Sequence, residues 1–119
     1  DYYKLAVNLI LSKVDNPHFF IFSDRPDFVK NKLDALLSKS NVTYVSNNSS
    51  DDMVYADFWL MSKCKHFIAA NSTFSWWAAW LGEKKGHSII ITPKISIDPD
   101  RNPTAWGFDM LVPDRWLIL

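Results

Sequence analysis

Apolar positions recur along this chain in two alternating rhythms. Leu5, Leu9 and Ile10 lie at helical spacing and predict a helix over Tyr3–Val14, which Asn16-Pro17 stops. His18-Phe-Phe-Ile-Phe22 is then a short apolar run, as expected for a strand buried on both faces. Ser23-Asp24-Arg25-Pro26 is a turn, in which Ser23 or Asp24 can cap a helix that has Pro26 in its first turn. Val29, Leu33, Leu36 and Leu37 form the stripe of that helix, and Val42–Val45 is a β-branched strand. A polar loop, Asn47 to Asp52, leads to a third helix ending near Lys63, with Met53, Ala56, Leu60 and Cys64 on one face. Phe67–Ala70 reads as a second buried strand. Phe74–Leu81 is a helix apolar nearly all round, which predicts burial. Gly82 to Gly86 ends it, and Ser88–Ile91 is a fourth strand, closed by Pro93. The tail from Lys94 is irregular, and Asp114–Trp116 fits one turn of helix or an edge strand. Four alternations of helix and strand predict an α/β fold: a parallel sheet with helices on both faces.

The length of 119 residues makes this one domain, over residues 1–119, large enough to bury a core without metal or disulfide. Thirteen basic and thirteen acidic side chains leave no net charge, which argues against a bulk nucleic-acid or acidic-membrane binder. No apolar stretch approaches the roughly twenty residues of a membrane span. The single cysteine, Cys64, excludes an internal disulfide and a cysteine zinc cluster, and fits a reducing compartment. The chain opens directly on the first turn of a helix, as a fragment or excised domain would.

Chemistry in an open α/β sheet gathers at the carboxyl ends of the strands. Two such ends are polar here: Ser23-Asp24, and Asn71-Ser72-Thr73. A helix starts directly after each. Helix starts offer unpaired N–H groups and the positive end of a dipole, so they hold anions. The hydroxyls of Ser72, Thr73 and Ser75 add donors, which makes a phosphate site without a glycine-rich loop. The plainer alternative is that Asp24 and Ser72 only cap helices. Asp57 shares a helical face with Met53, Leu60 and Met61, so its carboxylate must be paired or must face a site. His18, His66 and His87 show no metal-ligand spacing. Three glycines leave no room for dinucleotide or Walker-type loops. Trp76, Trp77 and Trp80 read as core or as a sugar platform.

From Asp57 to Leu81, the run Asp-Phe-Trp-Leu-Met-Ser-Lys-Cys-Lys-His-Phe-Ile-Ala-Ala-Asn-Ser-Thr-Phe-Ser-Trp-Trp-Ala-Ala-Trp-Leu resembles the C-terminal half of the α-1,2-fucosyltransferases, glycosyltransferase family 11. Phe22-Ser-Asp24 resembles the family's Phe-Ser-Asp segment, and Leu111-Val-Pro-Asp-Arg-Trp116 its closing segment. The resemblance implies a Rossmann-like sheet, the C-terminal half of a GT-B-type enzyme. It implies transfer of fucose from GDP-fucose to the 2-hydroxyl of a galactoside, with inversion, no metal and no cofactor. Asp24 is then placed to accept from the guanine N–H edge, Ser72 and Thr73 to bind the pyrophosphate with Asn71 and Ser75 beside them, and Asp57 to orient that loop.

The family often carries a second acidic residue where this chain has Arg25. Its His-x-Arg-Arg-x-Asp motif lies upstream, and no Arg-Arg pair occurs here. The expectation is thus a donor-binding half, inactive alone, from a bacterial cytoplasmic enzyme that could associate peripherally with a membrane, or a Golgi-lumenal one if the source is animal. The alternatives are a phosphoacceptor regulatory domain and a non-catalytic sugar-binding module.

Overall fold

The computed structural model of the chain describes residues 1–45, 53–94 and 111–119. The elements alternate as α1 (Tyr2–Lys13), β1 (His18–Phe22), α2 (Pro26–Leu37), β2 (Asn41–Val45), α3 (Val54–Ser62), β3 (Phe67–Ile68), α4 (Thr73–Gly82), β4 (Ile90–Thr92) and β5 (Leu117–Ile118). The expected order is present, and every strand pairing is parallel. The polar loop up to Asp52 and the irregular stretch after Lys94 fall at 46–52 and 95–110, outside the described residues. Asp114–Trp116 is a turn, in which Trp116 N–H donates to Pro113 O at 2.8 Å, and the edge strand β5 follows it. Asn16, with φ of 48°, takes the left-handed conformation that ends the α1 connection, as an asparagine can.

Among the described residues the strands form two ladders, β1–β2 and β3–β4–β5. In the second ladder, registered neighbours share a face: Ile68 with Ile91, and Phe67 with Ile90 on the opposite side. Ile91 joins Ala6, Val7 and Ile10 of α1 in one apolar cluster with Phe19 and Leu37, and Ile68 packs against it. Phe67 and Ile90 join Ala79 of α4 and Trp116 in a second cluster. The β3–β4 ladder is therefore a middle layer with a helix on each face. In the first ladder, Phe19 and Ile21 face the α1–α2 cluster, together with Val42, the registered partner of Phe19.

Three burial patterns depart from expectation. β1 is not buried on both faces: Phe20 keeps 49% of its surface exposed, with the His18 ring stacked on it at 4.5 Å. Its second face lines an open cleft together with residues of α3. In α1 the buried stripe is Ala6, Val7 and Ile10, with Leu5 exposed, because the small Ala6 lets the helix sit close on the strands. Helix α4 is not buried all round. It buries Ala78 and Ala79, while Trp77, Trp80 and Leu81 project outward. Small residues let α4 lie against its neighbours: a Cβ at Gly82 would stand 2.2 Å from the Ser62 carbonyl oxygen and 2.6 Å from the Phe67 ring.

The carboxyl end of α4 is fixed to the C-terminal segment. An acidic residue there opposes the helix dipole. Glu83 is held in place by Arg115, whose Nε and Nη2 donate to its two carboxylate oxygens at 2.7 and 2.6 Å, and by Trp116 Nε1 at 3.3 Å. The hydrogen bonds from Arg115 hold the Glu83 carboxyl below the usual carboxylate range. Arg115 also lies over the Trp80 ring, 5.2 Å from its centroid.

Candidate functional site

The chain leaves β3 through two alanines and turns sharply, with Ser72 N–H donating to Ala70 O at 2.8 Å. Ser72 is extended, with φ of −150° and ψ of 134°, and is the N-cap of α4: its Oγ accepts from Phe74 N–H at 3.2 Å. Its carbonyl accepts the first helical bond, from Trp76 N–H at 3.1 Å. Ser75 Oγ has one hydrogen to share between Ala70 O at 3.1 Å and Ser72 O at 3.0 Å, so it braces the turn rather than offering a donor outward. The N–H groups of Thr73 and Ser75 then have no partner among the described residues, and they stand at the positive end of the α4 dipole.

The carboxyl end of β1 is built differently. Ser23 Oγ accepts from Arg25 N–H at 3.0 Å. The N-cap position of α2 falls on Arg25 with no side-chain cap, and Pro26 opens the first turn as expected. Asp24 therefore caps nothing: a residue one step before the cap cannot reach the first-turn N–H groups as a cap does. Its carboxylate is exposed.

A wide cleft of about 2150 Å³ runs between β1 and β3 along the inner side of α3. Asp24, Asp57, Ser72 and Ser75 all line it, so four of the six candidate residues share one space. Asp57 is half-buried and is not without a partner. Asn71 and Thr73 do not line the cleft. Asn71 lines a small neighbouring pocket with Trp76 and Thr92, and Thr73 is the first residue of α4, directly after its cap Ser72. The tryptophans of α4 do not line the cleft and form no sugar platform there. Trp76 instead stacks on Trp80 at 5.3 Å and donates to Leu111 O at 3.2 Å.

Two residues that support the site gave no signal in the sequence. Tyr2, at the start of α1, directs its hydroxyl to Ala69 O at 2.6 Å and Ile91 O at 3.0 Å, tying α1 to the residue after β3 and to the middle of β4. Burial, with Tyr3 adding to it, pushes that phenol well above its ordinary pKa. An aromatic at a helix start reads only as core, so the pattern hides this role. His66, just before β3, accepts from Ile89 N–H at Nδ1 at 3.0 Å, which places the proton of the neutral ring on Nε2. Burial, then Lys65, lowers its pKa.

Comparison with known proteins extends this picture. Residues 1–102 match glycosyl transferase family 11. An alpha-1,2-colitosyltransferase of Escherichia coli is 32% identical over 98% of this chain, which covers 37% of that relative. The O-antigen biosynthesis glycosyltransferase WbnK of Escherichia coli is 37% identical over 79% of the chain and 30% of its own length. Galactoside alpha-(1,2)-fucosyltransferase 1 of Aotus azarae is 29% identical over 67% of the chain and 21% of its own length. The chain thus spans about a third or less of the curated relatives it matches. No solved structure matches it. Among the described residues no helix is long and apolar enough to cross a membrane. A parallel α/β layer with polar strand ends on one cleft, matched over 102 residues by a single family, has one consistent assignment: the chain belongs to glycosyl transferase family 11.

Proposed function

We propose that this chain is the donor-binding part of an inverting α-1,2-fucosyltransferase, which moves fucose from GDP-fucose to the 2-hydroxyl of a galactoside. The observation that carries the reading is that an exposed carboxylate, Asp24, lines one cleft with Ser72 and Ser75 at the start of α4. A guanine base presents N–H donors that a carboxylate accepts in pairs. A diphosphate takes N–H donors and a helix dipole. In this reading Asp24 reads the base. Ser72 and the Thr73 N–H hold the diphosphate, Ser75 and Asn71 shape the turn, and Asp57 holds α3 against it.

Displacement at the anomeric carbon leaves negative charge on the departing GDP. Donors fixed in advance at the start of α4 stabilise that charge as it develops. This chain has no Arg-Arg pair, and on this reading the remaining charge stabilisation, the catalytic base and most of the acceptor site come from the upstream half of a GT-B-type enzyme. The fragment alone would then show no turnover. No metal is needed, since the helix start and Ser72 do its work at the diphosphate. Relatives from Escherichia coli, one named for O-antigen biosynthesis, favour a bacterial cytoplasmic setting. Transfer of colitose is the second reading, because the relative matched over 98% of the chain is named for it.

Calorimetric titration in the presence of EDTA tests the nucleotide claim. GDP should bind without added magnesium and at least tenfold more tightly than ADP or UDP, a difference of about 1.4 kcal/mol. Binding that requires magnesium, or that does not distinguish GDP from ADP, contradicts the reading.

A further inference from the structure

We infer that the corner of the molecule where α3 and α4 end docks on an anionic lipid surface. The inference does not depend on the proposed transfer reaction. One close approach defines the corner: a Cβ at Gly82 would run into Ser62 O and the Phe67 ring, so the last turns of both helices meet at the start of β3. Three large apolar side chains within three residues of that contact are exposed: Trp59 at 58%, Trp80 at 42% and Leu81 at 62%. Four lysines also lie within three residues of it and are exposed, Lys63 and Lys65 after α3 and Lys84 and Lys85 after α4. The acidic residue in that span is Glu83, and Arg115 takes up both of its carboxylate oxygens. Asp114, beside Arg115, is the other carboxylate on the segment bound there, and the four lysines outweigh it.

Both exposed indoles of the corner carry a cation. Lys63 Nζ stands 5.1 Å from the centroid of the Trp59 ring, and the Arg115 guanidinium 5.2 Å from that of Trp80. This is the pairing that a membrane interface takes: the ring sits at the level of the headgroups, and a lysine stem lies along apolar surface while its charge reaches the phosphates. The zero net charge of the chain rules out a bulk attraction but not this local one, since salt confines the field of exposed charges to about 10 Å. Anionic headgroups attract lysines within that range.

The lysines decide between occupants. A symmetric contact with a second copy puts the same patch on both sides, so four lysines would face four lysines. The centre of a protein–protein interface is depleted in lysine. An anionic lipid surface complements both halves of the corner, the positive charge and the aromatic rings. Helix α4 also separates the corner from the candidate site. Its ten residues carry the chain about 15 Å from the turn at Ser72, so docking at the corner leaves that turn uncovered.

Co-sedimentation of the full-length natural protein with vesicles tests this. Phosphatidylcholine vesicles with about one third phosphatidylglycerol should bind it about tenfold more tightly than phosphatidylcholine alone at about 0.1 M salt, and lose most of that advantage near 0.5 M. Lys84→Glu with Lys85→Glu should weaken that binding about tenfold. Trp59→Ser with Leu81→Ser should weaken it by a similar factor. Melting temperatures should change little, since all four side chains are exposed. If the second pair does not fold, the lysine pair decides alone. Equal binding to neutral and anionic vesicles overturns the inference, as does full binding by the lysine pair. A dimer that Trp59→Ser with Leu81→Ser breaks, with vesicle binding unchanged, overturns it too and puts a second copy on the corner.

Discussion

The β3–β4 ladder carries a helix on each face, whereas the β1–β2 ladder is covered on one face and borders a cleft on the other. Both ladders come from the same kind of sequence, short apolar runs over His18–Phe22 and Phe67–Ala70. Phe67 is buried against Ala79, Ile90 and Trp116, yet Phe20 is half exposed. The difference lies not in the strands but in what stands beside them. Nearest-neighbour helices complete the β3 region within this chain, and the β1 region lacks a comparable cover among the described residues. The polar ends of both strands nevertheless reach the same cleft, so the closed region holds the helix start and the open region presents Asp24 to it.

The sharpest way to break this contrast is a matched pair of truncations. Phe67→Ala should destabilise by about 3–5 kcal/mol, the usual cost of emptying a buried aromatic site. Phe20→Ala should cost less than about 1 kcal/mol, since half of its surface already meets water. Denaturant melts of both variants decide it, and equal losses would mean that the β1 face is covered in solution. The next largest effect concerns the contact between α3 and α4. Gly82→Ala favours helix by propensity, but its Cβ would meet the backbone oxygen of Ser62. A net loss of about 1–3 kcal/mol is expected, as for overpacking, read as a lowered melting temperature. A stabilised variant would show that the two helices part easily.

The smallest effect is a pH dependence in the closed region. Ile89 N–H donates to His66 Nδ1, which a proton on that nitrogen would abolish. The folded pKa lies below the ordinary 6.5, so on acidification the unfolded chain binds the proton first. This contribution to stability is level above about pH 7.5 and is lost as pH falls through 6.5 towards the lower folded value. His66→Gln should flatten the slope between about pH 7 and 5, measured by melts across that range. An unchanged slope would place the titrating group elsewhere.

Much of the architecture is legible in the sequence because periodicity reports which side of an element is apolar. Leu33, Leu36 and Leu37 mark α2, and Pro26 and Ser72 mark helix starts, as the structure has them. Periodicity does not report coverage from distant segments. An unbroken apolar run reads as double burial at both β1 and β3, but among the described residues only β3 has an apolar cluster with a helix on each face. The same limit hides the exposure of Trp77 and Trp80, since α4 packs through its alanines and Gly82. At the site, the turn after β3 was legible because small polar residues follow a strand and precede a helix. The roles within it were not. Which hydroxyl caps, which braces and which faces the cleft depend on ångström-scale geometry, as Ser72 and Ser75 show. Asp24 fits a cap by residue type, yet it sits one residue before the cap position.

The central claim is that the start of α4 holds a diphosphate through backbone N–H groups, and Thr73→Pro tests it most directly. Proline is favoured at the first helical position and removes only that N–H. It also restricts the preceding residue to extended backbone, which Ser72 already adopts. The helix should therefore persist with an unchanged melting temperature. The account predicts that GDP affinity falls about tenfold, or roughly 1.4 kcal/mol, while guanosine affinity stays within about twofold. Unchanged GDP affinity in the folded variant, or equal losses for GDP and guanosine, would contradict it and leave the start of α4 as a capped helix end only.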